Sequence, residues 1–147
     1  MLILMFRAGG RRYAIDAARV AEVVPRVRLR PLPHAPAHLA GVFDYRGEVV
    51  TVLDVGVLLG AEPAPDRLNT RVILADRRAD PRATDSPRAL LGLLAADVDD
   101  LATVDPAAFV PTPVPIPTAP YLGGVAEIGS GMVQLLLVAR VLDAPTA

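Results

Sequence analysis

Hydrophobic positions along this chain come in short blocks separated by glycine, proline or charge. Residues 2–7, 13–16 and 19–24 form apolar or alternating runs, split by Gly9-Gly10 and by Ala17-Ala18 in the spacing of strand, turn and strand. Val49, Val50, Val52, Leu53 and Val55 make a β-branched run, and 72–75, 90–95 and 132–138 add three more. The pattern therefore predicts a chain that is mostly strand. Two short helical turns are predicted beside the strands, at 35–39 after Pro33 and at 55–59 before Gly60, a residue suited to a left-handed cap. Within FDYRGEVVTVLDVGVLLG (43–60), the pair Arg46-Gly47 stands out, because it opens a segment that is otherwise almost wholly apolar.

The pattern also recurs. Gly41-Val42, Gly47, Val49-Val50, Val52-Leu53, Val55 and Val57-Leu58 are echoed by Gly124-Val125, Gly131, Val133, Leu135–Val138 and Val141-Leu142. Upstream, AIDAARVAEV (14–23) is matched by LLAADVDDL (93–101), with Val20 against Val98 and Val23 against Leu101. Proline-rich connectors follow in both halves, PRVRLRPLPHAP at 25–36 and PTPVPIPTAP at 111–120, and such segments stay extended without becoming central strands. These echoes predict an all-β chain of two related lobes, about 1–75 and 89–147. Each would be a small barrel of roughly five strands, too small to bury enough surface alone, so the two would share a core. The polar stretch at 76–88, which includes RRADPRATDSPR, lacks periodicity and is expected to be a mobile loop between them. In this alignment Ser130-Gly131 occupies the place of Arg46-Gly47, so one lobe carries an arginine that the other lacks.

Composition narrows the function. The 147 residues suit a single domain, and with 52% hydrophobic and 21% charged residues the balance is that of a globular, soluble protein. No apolar run approaches the ~18–20 residues of a membrane span. The opening MLILMF has neither a basic region nor a cleavage site and reads as a strand, which makes the cytoplasm the expected location. Without cysteine, disulfides, thiolate nucleophiles and cysteine-ligated metals are removed together. The fifteen basic residues are all arginine, but sixteen acids bring the net charge to -1, which argues against a dedicated nucleic-acid binder. Six aromatics are too few for a base-stacking platform.

A catalytic or metal constellation is not visible. Ser86 lies in the polar loop and Ser130 between glycines, neither in a nucleophile elbow. His34 and His38 are four apart, the spacing that would place two metal ligands on one helical face, but Pro33 and Pro36 disfavour a helix and an exposed loop pair is expected. Strand alternation would send Asp97 and Asp99, neighbours of Asp100, to solvent. Gly9-Gly10 and Gly123-Gly124 are turn signals outside any phosphate-binding context. No enzyme, cofactor or metal site is expected.

The pieces YAID (13–16), VAEVV (20–24), PLPHAP (31–36), AGVFDYRGEVVTVLDV (40–55), LNTRVIL (68–74), LLGLLAADVDDL (90–101), YLGGVA (121–126) and MVQLLLVARVL (132–142) resemble, in this order, the CheW-like family. These are coupling proteins of bacterial chemosensory systems, and the most specific element is the block G-V-x-x-x-R-G-x-V-x-x-V-x-D. The resemblance implies two intertwined five-stranded SH3-like barrels around a hydrophobic core, without enzymatic activity or cofactor. It implies two partners, the regulatory domain of a CheA-type histidine kinase, met barrel end to barrel end, and the cytoplasmic tip of a methyl-accepting chemoreceptor. That tip, a helical hairpin, would lie in an apolar groove between the lobes. The protein would be recruited to membrane-associated receptor arrays without inserting into the membrane.

Carried over by motif position, Val20 and Glu22 fall in the partner-contact strand, Gly41 opens the strand before the turn, Arg46 is the signature arginine and Gly47 the tight-turn glycine. Asp44-Tyr45 stands where the family has Asn-Leu, so Tyr45 offers a polar handle and Asp44 could pair with Arg46 or a neighbour; Thr51 replaces a proline. These departures bear on receptor identity and look nearer to alternative pathways such as Wsp-like surface sensing. Structural roles stand beside each assignment: Val20 as core, Glu22 and Asp54 on solvated faces, Arg46 bonded to carbonyls across the lobe junction. Two rival readings are the regulatory module of a hybrid kinase, against which the start methionine and the strand at 132–142 weigh, and a metal protein using His34 and His38.

Overall fold

The apolar and alternating runs become nine strands in the computed structural model, which describes residues 1–129 and 131–143, with Asp99 and Asp143 described by their backbone alone. In chain order these are β1 (Leu2–Ala8), β2 (Arg11–Asp16), β3 (Val20–Pro25), β4 (Leu39–Tyr45), β5 (Glu48–Asp54), β6 (Arg71–Asp76), β7 (Leu90–Thr103), β8 (Leu122–Ile128) and β9 (Gly131–Leu136). A helix α1 (Val55–Leu58) follows β5, close to the expected turn at 55–59, with Gly60 at φ 77° beyond its end. The other expected helical turn, 35–39, is a single tight turn at 37–38, with a second just before it at 33–34, as prolines at 33 and 36 would dictate.

The longest strand organises the others. Residues 90–95 of β7 pair with β6, and 92–94 also pair in parallel with β5, whereas 96 and 100–103 pair with β1. One sheet thus runs β8-β9-β2-β1-β7 and the other β3-β6-β7-β5-β4, with β7 common to both. At the crossover Asp97 takes φ 51°, accepts a hydrogen bond from Asn69 Nδ2, and lies 3.9 Å from Arg7 Nε. Asp97 is therefore the kink between the sheets and not a simple outward strand residue, and Asp99's side chain lies outside the described residues.

The two sheets do not follow the sequence halves. Strands β1 and β2 belong with β8 and β9, while β6 and the first part of β7 belong with β3, β4 and β5, so each half supplies strands to both sheets. Expected lobes of 1–75 and 89–147 describe a repeat in the chain, and the folded sheets exchange its parts. The repeat itself is visible in the ladders. Leu39 opposite Leu53, Val42 opposite Thr51 and Phe43 opposite Val50 recur as Leu122 opposite Leu136, Val125 opposite Gln134 and Ala126 opposite Val133, 83 positions on. Asp54 N donates to His38 O at 2.8 Å, and Leu137 N donates to Tyr121 O at 2.6 Å. This register moves the expected match of Gly47 with Gly131 by one residue: Gly131 opens β9 opposite Ile128, so 129–130 occupies the place of Arg46-Gly47. Ser130 lies outside the described residues.

Among the described residues neither sheet closes into a barrel through its strand ladders. Instead each edge strand is touched by one bridge, from Arg30 in the first proline-rich connector to Val42 on β4 and from Val110, just before the second, to Val125 on β8. Gly41 makes the first approach possible: its φ is 150°, and a Cβ there would stand 2.6 Å from Arg30 O.

Alternation along the strands sorts side chains into three layers. Val50, Val52, Val72, Leu74 and Leu94 fill the inside of one sheet, and Ile3, Ala14 and Val133 that of the other. Between the sheets lies the shared core, with Leu4, Phe6 and Ile15 from one side meeting Leu53, Ile73 and Leu93 from the other. Strands β6 and the first part of β7 are buried on both faces, which is why they read as unbroken apolar runs.

The loop at 77–88, expected to be mobile, is tied down. Arg78 forms a 2.6 Å ion pair with buried Asp76 and donates to the carbonyls of Pro81, Ala83 and Ser86, while Arg19 donates to the carbonyls of Asp76, Arg78 and Ala79. Burial pushes the Asp76 carboxyl up, but hydrogen bonds from the Arg78 side chain and from the N–H groups of Arg78 and Ala89, with the Arg78 charge, hold it below the usual carboxylate value.

Two outcomes test this frame. Gly41→Ala destabilises the fold by about 2–4 kcal/mol in urea denaturation, since both φ and a backbone oxygen oppose a Cβ; Gly124→Ala, whose Cβ would meet Val110 O at 2.9 Å without a positive φ, costs less. Because the folded Asp76 carboxyl is lowered, its contribution is fully present above the unfolded value of about 3.9 and is lost as pH falls through the lower folded value. Asp76→Asn therefore lowers the urea midpoint at neutral pH, and the gap from wild type narrows once the pH drops below that window.

Candidate partner-binding site

The β4–β5 hairpin ends with Tyr45 opposite Glu48, which leaves Arg46 and Gly47 as a two-residue turn. Their φ values, 51° and 84°, are both positive, the type I′ geometry that matches the twist of a hairpin. Gly47 adopts it without cost, and its N–H donates to Asp44 Oδ1 at 2.8 Å, so Asp44 serves the turn and not Arg46. Arginine is a poor choice for the first turn position, where asparagine or glycine is favoured and a Cβ costs roughly 1 kcal/mol. Turn geometry alone would not select it.

The strained position displays a held cation. Arg46 Cζ lies 5.0 Å from the centroid of the Tyr45 ring, and Arg46 Nη2 is 3.4 Å from Glu22 Oε2, with side chains of Arg46 and Glu22 exposed by 74% and 37%. The Tyr45 hydroxyl donates to the same Glu22 oxygen. Glu22 lies on β3 opposite Leu74, just beyond a bulge at Ala21. Since β3 and β4 are the two edges of one sheet, the Glu22, Tyr45 and Arg46 contacts join by side chains the sheet ends that no ladder closes. Phe43 supports the group from below, its ring edge-on to Tyr45 at 6.4 Å. The hydrogen bond with Glu22, then partial burial, raises the Tyr45 phenol above its ordinary value, against the opposing charge of Arg46.

The structure thus gathers Glu22, Tyr45, Arg46 and Gly47 and leaves Val20 and Gly41 elsewhere. Val20 pairs with Ala75 at the start of β3 and packs on the shared core, and Gly41 lies beneath the connector. Arg46 bonds a carboxylate, not the junction carbonyls considered from sequence. Asp54 is not on a solvated face: it is buried, capping α1 through Val57 N–H and holding Ala64 N–H at 3.1 Å. His34 and His38 sit in separate turns, and no group of three or more metal-ligating side chains occurs among the described residues. Phe43 was the member that the sequence did not single out; its place one alternation before Tyr45 was the available signal. Between the sheets, a cleft of about 390 Å³ opens beside the Gly9-Gly10 turn, with Ala8, Ala95 and Ala96 on one wall and Arg7, Arg67 and Asp97 at the rim.

Two exchanged sheets on one core, with a hairpin that displays a braced arginine, define a binding module of paired small β-sheets. The chain belongs to the CheW-like domain family, whose family model matches residues 2–146. This is a family of scaffolds and adaptors. The chain is 30% identical over 111 residues to a probable chemotaxis protein CheW of Rhizobium etli and 29% identical to the chemotaxis protein CheW of Rhizobium meliloti. Each match covers 76% of this chain and 66% of the relative, just under two thirds of its length. The fold is shared with the scaffolding protein TtCheW of Thermoanaerobacter tengcongensis, at a TM-score of 0.81 and 19% identity, over 99% of this chain and 90% of that one. No helix among the described residues is long and apolar enough to cross a membrane.

Glu22→Gln brings the Tyr45 phenol back toward its ordinary value near 10. In ultraviolet titration the tyrosine step that is missing in Tyr45→Phe moves to lower pH. With the folded value raised, Tyr45's contribution to stability is full below the unfolded value and is lost as pH rises through the folded one.

Proposed function

We propose that this protein is a non-enzymatic coupler that holds the cytoplasmic tip of a methyl-accepting chemoreceptor and the regulatory domain of a CheA-type histidine kinase in one signalling assembly. The observation that carries the reading is Arg46, an exposed cation kept at a positive-φ position and braced by Glu22 and Tyr45. A guanidinium so oriented still has free donors for a partner's carboxylates or carbonyls, and bracing reduces the rotamer entropy lost on binding. Membership of the family over almost the whole chain supports the choice of partners.

In this reading Glu22, Tyr45, Arg46 and Gly47 form the contact end of one sheet, and Val20 and Gly41 support it through the core and the connector. The receptor tip, a helical hairpin, lies along the cleft where the sheets meet, a helix-in-groove contact with the alanine wall beneath it. Coupling is then a population shift, in which receptor and kinase favour the same arrangement. The assembly forms in the cytoplasm at receptor arrays. Asp44, Tyr45 and Thr51, which depart from the family pattern, adjust which receptor is accepted.

The test is co-precipitation with the kinase and receptors encoded nearby. Wild type retains both partners; Arg46→Ala loses at least one by about tenfold or more. Loss of contact is separable from loss of fold, because an exposed ion pair contributes only about 0.2–1 kcal/mol and Arg46→Asn, suited to the turn, unfolds within about 1 kcal/mol of wild type or later. Retention of neither partner by wild type overturns the coupling, and undiminished binding by both variants removes Arg46 from the contact.

A further inference from the structure

Residues 23–43 contain no acid, yet they hold Arg26, Arg28 and Arg30 together with His34 and His38. The three arginines alternate with Val27 and Leu29 along the extended connector that leaves β3 and touches β4 at Arg30. Alternation puts the guanidiniums on one side, roughly 6.5–7 Å apart along the chain. All three are exposed, while Leu29 packs inward on the Val50, Val72 and Leu74 cluster. Arg26 meets Asp66 at 3.2 Å, a carboxylate that is itself 92% exposed. Arg28 and Arg30 have no acidic partner among the described residues.

The backbone beside them is also open. Arg30 exchanges both hydrogen bonds with Val42, at 2.8 and 2.9 Å, but among the described residues none reaches the peptide groups of 27–29. A groove of about 500 Å³ runs along the same segment, with Val27, Leu29, Ala40 and Leu94 in its wall. Its one carboxylate, Asp54, is already engaged by Val57 and Ala64 N–H groups.

From this arrangement we infer that residues 26–30 form a docking edge for an extended acidic segment of a partner protein. The segment lies antiparallel or parallel to the connector, bonds the free peptide groups, and sets carboxylates at alternate positions on Arg28 and Arg30. A membrane surface fits less well, since lipid-binding clusters hold about 4–8 basic residues and one of these three is paired. The edge is separate from the Arg46 turn, so it does not depend on the coupling assignment.

The test uses the full chain and two labelled peptides, one alternating Glu and Thr and the other Gln and Thr, followed by fluorescence anisotropy. The Glu peptide binds and weakens as salt rises, and the Gln peptide does not bind. Arg28→Gln with Arg30→Gln weakens binding about tenfold, whereas Arg28→Lys with Arg30→Lys retains most of it and Arg11→Gln, an exposed arginine on β2, leaves it unchanged. A photoreactive Glu peptide crosslinks to wild type within 26–30, a readout that does not depend on the variants folding. Equal binding of the Gln peptide, equal loss in Arg11→Gln, crosslinks elsewhere, or binding confined to phosphatidylglycerol vesicles overturns the docking edge.

Discussion

Strand β7 is the constraint on which the rest depends. Its first part is paired on both sides in one sheet, its second part is paired to β1 in the other, and no cut along the chain separates the two. A sheet of five short strands buries one face at most and leaves two edges open. Sharing a strand forces the outer faces of both sheets onto each other, and the Phe6, Leu53, Ile73 and Leu93 layer that results is the core neither could form alone. Asp97 takes the left-handed kink that the crossing needs, and Asn69 and Arg7 hold it there.

The same exchange explains how a repeated chain can carry an unrepeated site. Both hairpins use one ladder register, and both are crossed by a connector over a glycine, Gly41 in one and Gly124 in the other. They differ at the turn. Gly129 stands where Arg46 does, free of strain at φ 66°, and Ile128 replaces Tyr45. An arginine kept at a strained position, in a frame whose other copy avoids the strain, is explained by what its side chain does.

Much of this was legible in the sequence. β-branched alternation marked the strands, Gly60 marked the end of α1, and the echo of 41–58 in 124–142 marked the repeat. Strand exchange was implied by the family resemblance alone and was not legible in the periodicity, which reports which faces are buried and not which strands are neighbours. The one-residue slip between Gly47 and Gly131 arose because glycine signals a turn at either of its last two positions, and only the Ile128–Gly131 pair fixes which. Asp54 and the loop at 76–88 were misread for a related reason. A charge looks solvated until the backbone groups it satisfies, Ala64 N–H for Asp54 and the carbonyls of 81–86 for Arg78 in the loop, are brought to it by the fold. Glu22 and Arg46 are 24 positions apart, and nothing local announces that the edges bearing them meet.

That meeting has a mechanical meaning. Backbone ladders would have closed the sheet rigidly, each hydrogen bond fixed by its neighbours. Here one bridge at Arg30 and the side chains of Glu22, Tyr45 and Arg46 do it instead. Side-chain closure near the surface is weak per contact and responsive to charge, so a partner that presents a carboxylate to Arg46 competes with Glu22 for it. Release of Glu22 leaves Tyr45 as its remaining donor and loosens the tie between β3 and the hairpin. The tie at the turn is thus a tie on β3, which runs into the arginine-bearing connector and, through Val20, packs on the core that both sheets share.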